Sequence, residues 1–99
     1  MSEMEHGGWS DEQLVDSEVA EICMKVKPQI EKMLNTTFEG YIPFSFKSQI
    51  VAGTNYAVKV VVGLDTCVHA MILAAPPCNG GKLTVNEAHY QKLSDPIVV

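Results

Sequence analysis

The 99-residue sequence lacks any run of about 18 consecutive apolar residues, which a membrane-spanning helix requires. Its first six residues also lack the apolar core of a secretory signal. Basic residues are scarce, since seven Lys and Arg stand against twelve Asp and Glu, and the net charge is −5. A phosphate backbone would repel this charge balance. We therefore expect no membrane and no nucleic acid among its partners, and a cytoplasmic location.

Cysteine and histidine are too few and too scattered to indicate a reactive centre. The three cysteines (Cys23, Cys67 and Cys78) lack metal-ligand spacing, and the three histidines lie far apart. Cys67 and His69 are two residues apart on a predicted strand, about 6.6 Å, which is beyond hydrogen-bond reach. Phosphate-loop, nucleophile-elbow and zinc-protease motifs are also missing. The sequence predicts free thiols, no metal or other cofactor, and no enzyme; a thiol enzyme using Cys78 is a weaker alternative.

The first half of the chain contains a helical pattern. Between residues 14 and 34, apolar side chains recur at spacings of three or four, as on one face of a helix. These side chains are Val19, Ile22, Val26, Ile30 and Met33. Pro28 has no N–H to donate, so we expect one long helix that bends at this position, with the proline facing solvent. The helix is predicted to end near Asn35.

The segment before this helix is polar. Residues 1–9 contain two adjacent glycines, Gly7 and Gly8, and are predicted to form a flexible N-terminal trunk. Residues that can cap the start of the helix are Ser10 (with Gln13), Asp16 and Ser17.

The remainder of the chain has the alternation typical of strands. Predicted strands lie at residues 44–51, 56–62 and 67–74, with shorter candidates at residues 83–85 and 97–99. Turns are predicted at residues 52–55 and 63–65, and a loop at residues 76–81. A helix followed by four or five strands with short connections predicts an α+β fold with an antiparallel sheet, in a single domain of residues 1–99.

One predicted hairpin tip is unusual. The tip at residues 49–53 is apolar after Gln49, although hairpin tips are normally polar. In an up-and-down sheet alternate turns fall at the same end, so this tip should lie beside the loop at residues 76–81 and opposite the turn at residues 63–65. With Gly7 and Gly8 nearby, the three segments would form an apolar edge suited to a groove in another protein.

The same residues carry a family resemblance. Gln49-Ile50-Val51-Ala52-Gly53, followed by Thr54-Asn55-Tyr56, closely resembles the Gln-Val-Val-Ala-Gly signature of the cystatins, and particularly of the stefins, or type 1 cystatins. Further matches are Val26-Lys27-Pro28-Gln29, Phe46-Lys47-Ser48-Gln49, Val68-His69 and Leu83-Thr84-Val85. The resemblance implies an antiparallel sheet of four to five strands wrapped around one long α-helix. It also implies reversible, tight-binding inhibition of papain-like cysteine proteases, such as papain and cathepsins L, S, H and B.

The resemblance further implies a three-part wedge that enters the protease cleft. Its residues would be Gly7 and Gly8 in the trunk, Gln49, Ile50, Val51, Ala52 and Gly53 in the first hairpin, and Pro76 and Pro77 in the second. Such a protein would be mainly a monomer, with a domain-swapped dimer as a second state. From another class, the residues also permit a non-inhibitory interaction module whose exposed sheet edge pairs with a partner chain.

Overall fold

The computed structural model describes residues 8–99, which form helices packed on one antiparallel sheet. The helices are α1 (Ser17–Lys25) and α2 (Lys27–Leu34). The strands are β1 (Gln13–Leu14), β2 (Ile42–Val51), β3 (Gly53–Val61), β4 (Thr66–Ala74) and β5 (Leu83–Lys92), and they lie side by side in chain order. The predicted α+β class is confirmed, and so is an antiparallel sheet, which has five strands within residues 8–99. No helix in this part of the chain is long and apolar enough to cross a membrane.

The helical region begins at the later of the two predicted starts. The side chain of Asp16 accepts a hydrogen bond of 2.8 Å from the Val19 N–H, which satisfies one free donor of the first turn. Ser10 has a different role, because its N–H donates to the Ser48 carbonyl oxygen at 2.8 Å. The helical region ends at Asn35, as predicted, in a left-handed conformation with φ 55°.

The predicted single long helix is divided into two segments at Val26, which has φ −92° and ψ 0°. Pro28 lies in the first turn of α2. It has no N–H to donate to the carbonyl oxygen of Met24, four residues earlier. The expected bend is therefore a break between two helices. Pro28 is exposed, as predicted.

The core lies between the helices and one face of the sheet. Its helical members are Val19, Cys23, Val26 and Ile30. Its sheet members include Phe46, Val58, Val60, Val68, Ala70, Ile72, Val85 and Ala88. The prediction that Met33 belongs to this stripe was wrong, since its exposed fraction is 47%, whereas Leu34 packs against the core. With Ile30 buried, a spacing of four continues the stripe better than a spacing of three.

Three boundaries differ from the prediction. A short strand, β1, precedes the helices, because Gln13 and Leu14 pair with Phe46 and Ser45 of β2. The first hairpin turns over a single residue between Val51 and Gly53, so the predicted turn at residues 52–55 is mostly strand. The short strand candidate at residues 83–85 is the start of a ten-residue strand that a bulge keeps paired with β4.

The predicted strand at residues 97–99 does not form. Residues 93–99 instead follow the outer face of the sheet, away from the helices. The Lys59 ammonium donates to the Leu93 carbonyl oxygen at 3.1 Å, and Ile97 is 5% exposed. Ile97 and His69 line the same cavity of about 450 Å³. Burial of one apolar side chain on the sheet therefore fixes this segment without strand pairing.

The outer edge of β5 carries a side-chain cover. The Ala75 N–H donates to the Lys82 carbonyl oxygen, which makes Lys82 a hydrogen-bonded position opposite β4. Because such positions alternate along a strand, the backbone N–H and C=O groups of Leu83 and Val85 point away from β4. The Gln29 amide of α2 meets both of them. Its Nε2 donates to the Leu83 carbonyl oxygen, and its Oε1 accepts from the Val85 N–H, both at 3.2 Å. The side chain thus occupies the place of a neighbouring strand at this point.

Candidate functional site

The first hairpin presents an apolar tip. Antiparallel pairing continues to the end of both strands, where Val51 lies opposite Gly53. Ile50 and Val51 are exposed by 57% and 45%, and Ala52 is also exposed. None of these side chains belongs to the buried core, so core packing does not explain their apolar character.

The second hairpin joins β4 to β5 through residues 75–82. Its base is closed by the hydrogen bond from the Ala75 N–H to the Lys82 carbonyl oxygen, at 2.8 Å. The loop contains a 3₁₀ turn, Pro77–Asn79, followed by Gly80 and Gly81 in left-handed conformations that favour glycine. Pro77 is exposed and Pro76 is half-buried.

The two hairpins touch at Gly53. Thr54 pairs with Ala74, so the start of β3 lies beside the end of β4. A Cβ built on Gly53 would overlap the Ala74 carbonyl oxygen and lie 3.1 Å from Pro76 Cδ. The backbone of the first hairpin therefore approaches the second one more closely than a side chain would permit.

The N-terminal segment reaches the same end of the sheet. The Ser10 N–H donates to the Ser48 carbonyl oxygen at 2.8 Å, and the Ser48 N–H donates to Ser10 Oγ at 2.9 Å. Since this segment runs antiparallel to β2, Gly8 lies beyond Ser48, towards the tip of the first hairpin. The predicted Gly7 contact lies outside the described residues.

We refer to Gly8, residues 49–53 and residues 75–81 as the tip edge. The sequence prediction that the two hairpins share one end is consistent with this geometry, and the turn at residues 62–65 lies at the other end. Residues 49–53 and 75–81 contain no charged side chain. The tip edge is therefore a narrow, uncharged and partly apolar margin.

Comparison with known proteins agrees with this architecture. The protein-family model named cystatin domain matches residues 7–95, which is most of the chain. The chain belongs to the cystatin family.

Related proteins extend across most of this cystatin. A pig (Sus scrofa) protein named leukocyte cysteine proteinase inhibitor 1 is 41% identical over 75 residues, which cover 76% of this chain and 73% of the relative. Cystatin-B of Oplegnathus fasciatus is 35% identical over 92 residues, covering 92% of each chain. Cystatin-A of Bos taurus is 32% identical over 89 residues, covering 90% of this chain and 91% of the relative. The predicted membership in the stefin-type branch is confirmed by these relatives of the A and B types.

This cystatin has no disulfide in the described part of the chain, and two of its three cysteines, Cys23 and Cys67, are buried. Burial raises the pKa of Cys23 to about 12 and also raises the pKa of Cys67. Cys67 Sγ donates to the Lys92 carbonyl oxygen at 3.4 Å. A thiol with a raised pKa forms little thiolate at neutral pH and is a weak nucleophile. Cys78, by contrast, is exposed in the second hairpin.

His69 lies on the outer face of the sheet, opposite Lys59 and His89. Its Nε2 is buried and has no hydrogen-bond partner within residues 8–99. Burial, with a contribution from Lys59, holds the pKa of His69 below its ordinary value, which favours the neutral ring.

The structure of residues 8–99 shows no group of three or more His, Cys, Asp or Glu that could hold a metal ion.

Sequence reasoning missed Asn55, which bridges the first hairpin. Asn55 Nδ2 donates to Gln49 Oε1 at 3.1 Å, and the two residues lie directly opposite each other on β3 and β2. The prediction placed Asn55 in the turn, which hid this pairing. If the turn had been predicted at Ala52 alone, Gln49 and Asn55 would have been expected opposite each other, because each lies three residues from Ala52.

Proposed function

We propose that this cystatin is a reversible, tight-binding inhibitor of papain-like cysteine proteases, with papain and cathepsins L, S, H and B as targets. The observation that carries the proposal is the tip edge. Its exposed apolar side chains, Ile50 and Val51, have no role in the core of this protein, and Gly53 of the same hairpin lies against the second hairpin. The names of the related proteins, among them a cysteine proteinase inhibitor, support the same function.

In the proposed complex, the tip edge fills the protease cleft on both sides of the catalytic cysteine. A substrate places a carbonyl carbon over that thiol, within about 3–3.5 Å and correctly aligned. The first hairpin instead turns sharply between Val51 and Gly53. We infer that the tip blocks the cleft without placing a peptide bond in the geometry of attack, so the chain is not cleaved.

The binding energy would come mainly from apolar area at the two hairpins. Burial contributes roughly 25 cal/mol per Å² of apolar surface, and Ile50 and Val51 provide such surface before binding. Both hairpins are already paired, through the Val51–Gly53 and Ala75–Lys82 contacts, so little conformational entropy is lost there. In the family pattern, Gly7 and Gly8 would approach the non-primed part of the cleft.

We further propose that the protein acts mainly as a monomer in the cytoplasm, as one domain of residues 1–99, and that a domain-swapped dimer is its second state. Membranes and nucleic acids are not among the proposed partners. The net charge of −5 supports the exclusion of nucleic acid, because phosphate groups would be repelled.

Titration of papain tests the proposal. Activity should fall in proportion to added inhibitor until one equivalent is reached, and the inhibitor should remain intact on a gel. Steady cleavage of the added chain, or full protease activity at excess inhibitor, would contradict it. Full protease activity with an intact added chain would favour the non-inhibitory interaction module.

A matched pair of substitutions locates the contact. Val51→Asp would place an unpaired charge in the cleft and should weaken inhibition by about 100-fold or more. Leu64→Asp introduces the same charge at a fully exposed site in the turn at the other end of the sheet, and should leave inhibition unchanged. Equal effects of the two substitutions would mean that the tip edge is not the contact.

A further inference from the structure

The five residues of the first hairpin tip fall into two groups. Ile50, Val51 and Ala52 are exposed, whereas Gln49 and Gly53 at the two ends are partly buried. Both end residues have close neighbours within their own chain. This difference suggests that the signature combines side chains that meet a protease with residues that have another task.

Gln49 acts across the hairpin. Its Oε1 accepts the 3.1 Å hydrogen bond from Asn55 Nδ2, between residues paired in the sheet. An amide acceptor and an amide donor thus join the two strands three residues before and after the tip residue Ala52. The bridge limits how far the strands can splay or twist below the exposed tip.

Gly53 acts between the hairpins. A Cβ at this position would overlap the Ala74 carbonyl oxygen and come within 3.3 Å of the Ala74 carbonyl carbon. It would also lie 3.1 Å from Pro76 Cδ. Since the Ala74 atoms are backbone, a side-chain rotation cannot relieve the overlap. Any larger residue must move the end of β4 and the start of the second hairpin.

We propose that Gln49 and Gly53 are positioning residues, which fix the shape of the first hairpin and its distance from the second. The contact with the protease is then made by Ile50, Val51 and Ala52 together with the second hairpin. This inference rests on the proposed function, since it assigns roles within the same inhibitory edge. In this proposal Gln49 and Gly53 do not contact the protease themselves. Gln49 affects inhibition through its hydrogen bond with Asn55, and Gly53 through its close approach to Ala74.

A double-mutant cycle tests the role of Gln49. Inhibition constants for papain are measured for Gln49→Ala, Asn55→Ala and the double variant, well below their unfolding temperatures. Loss of one hydrogen bond corresponds to about a fivefold increase in the inhibition constant. If Gln49 acts through Asn55, the double variant should be no weaker than the weaker single variant. Independent, multiplying effects would mean that Gln49 contacts the protease directly, and would overturn the proposal.

Amide NMR of the free inhibitor tests the role of Gly53. Gly53→Ala should shift the resonances of residues 75–81 and weaken papain inhibition. Gly63→Ala is the control, because a Cβ there would make only an ordinary 3.5 Å contact with Thr66 Cβ. It should change neither measurement. Weaker inhibition by Gly53→Ala with unshifted resonances of residues 75–81, or shifted resonances with full inhibition, would refute the role assigned to Gly53.

These measurements separate the inference from the proposed function. If the unaltered protein fails to inhibit papain, the proposed function is wrong. The NMR comparison would still report whether Gly53 sets the distance between the hairpins, because it uses the free protein.

Discussion

Truncation of Ile97 should destabilise the protein substantially, although this residue lies only two positions from the end of the chain. Ile97 is 5% exposed and packs on the outer face of the sheet. Ile97→Ala removes three carbon atoms from this contact. At about 0.8 kcal/mol per buried methylene, the loss is about 2.4 kcal/mol. This value falls at the lower end of the range for buried isoleucine, as expected for a site near the surface.

Thermal unfolding followed by circular dichroism measures this loss. For a domain of this size, 1 kcal/mol lowers Tm by about 4–8 °C, so Ile97→Ala should lower it by about 10 °C or more. Val98→Ala is a matched control, because Val98 is 83% exposed and its truncation should have almost no effect. Equal Tm values for Ile97→Ala, Val98→Ala and the unaltered protein would refute the packing of residues 93–99 on the sheet.

Three further predictions concern the helix cap, the partly buried His69 and the trunk. Asp16→Ala removes the acceptor for the Val19 N–H and should lower stability by about 1 kcal/mol; an unchanged Tm would contradict the capping role. Because the pKa of His69 is lowered in the folded protein, the unfolded chain takes up this proton first, so the stabilising contribution is complete above about pH 6.5 and is lost as pH falls below it. His69→Phe should therefore make Tm less dependent on pH between 7 and 5, and an unaltered pH dependence of Tm would count against a lowered pKa of His69 in the folded protein. Deletion of residues 1–6 should weaken inhibition of cathepsins L, S, H and B by different factors, because the contribution of the trunk depends on the cleft that it enters; factors near one for all four would exclude a contact by residues 1–6.

The parts of the fold that follow a simple period were predictable from the sequence. Alternation marked β3 and β4 closely, because both strands are interior and bury one face against the helices. The stripe through Val19, Val26 and Ile30 likewise indicated which helical face is buried. Pro28 predicted a disturbance of the helix through its missing N–H.

The parts that depend on long-range pairing were not predictable in this way. The two residues of β1 have no period of their own, and they are strand only because β2 offers a free edge. Residues 97–99 look like a strand by composition, but Ile97 finds apolar surface on the sheet face instead. Tertiary contacts decided both outcomes over local preference.

The candidate site shows the same division. The apolar tip and the common end of the two hairpins were deduced from the signature and from sheet topology. The spacing of the hairpins was not, because it depends on the approach of Gly53 to the Ala74 backbone. That approach joins residues 21 positions apart and leaves no local pattern in the sequence.

The Gln29 side chain links α2 to the edge of the sheet at β5. The Gln29 amide that covers the start of β5 belongs to α2. Separation of α2 from the sheet would therefore free the backbone groups of β5 and expose the apolar core at the same time. A molecule opened in this way would expose an unpaired strand edge and an apolar surface together, and both could contact a second opened copy. While α2 stays packed on the sheet, Gln29 occupies the outward backbone groups of Leu83 and Val85, so this stretch of β5 is not available to pair with another strand.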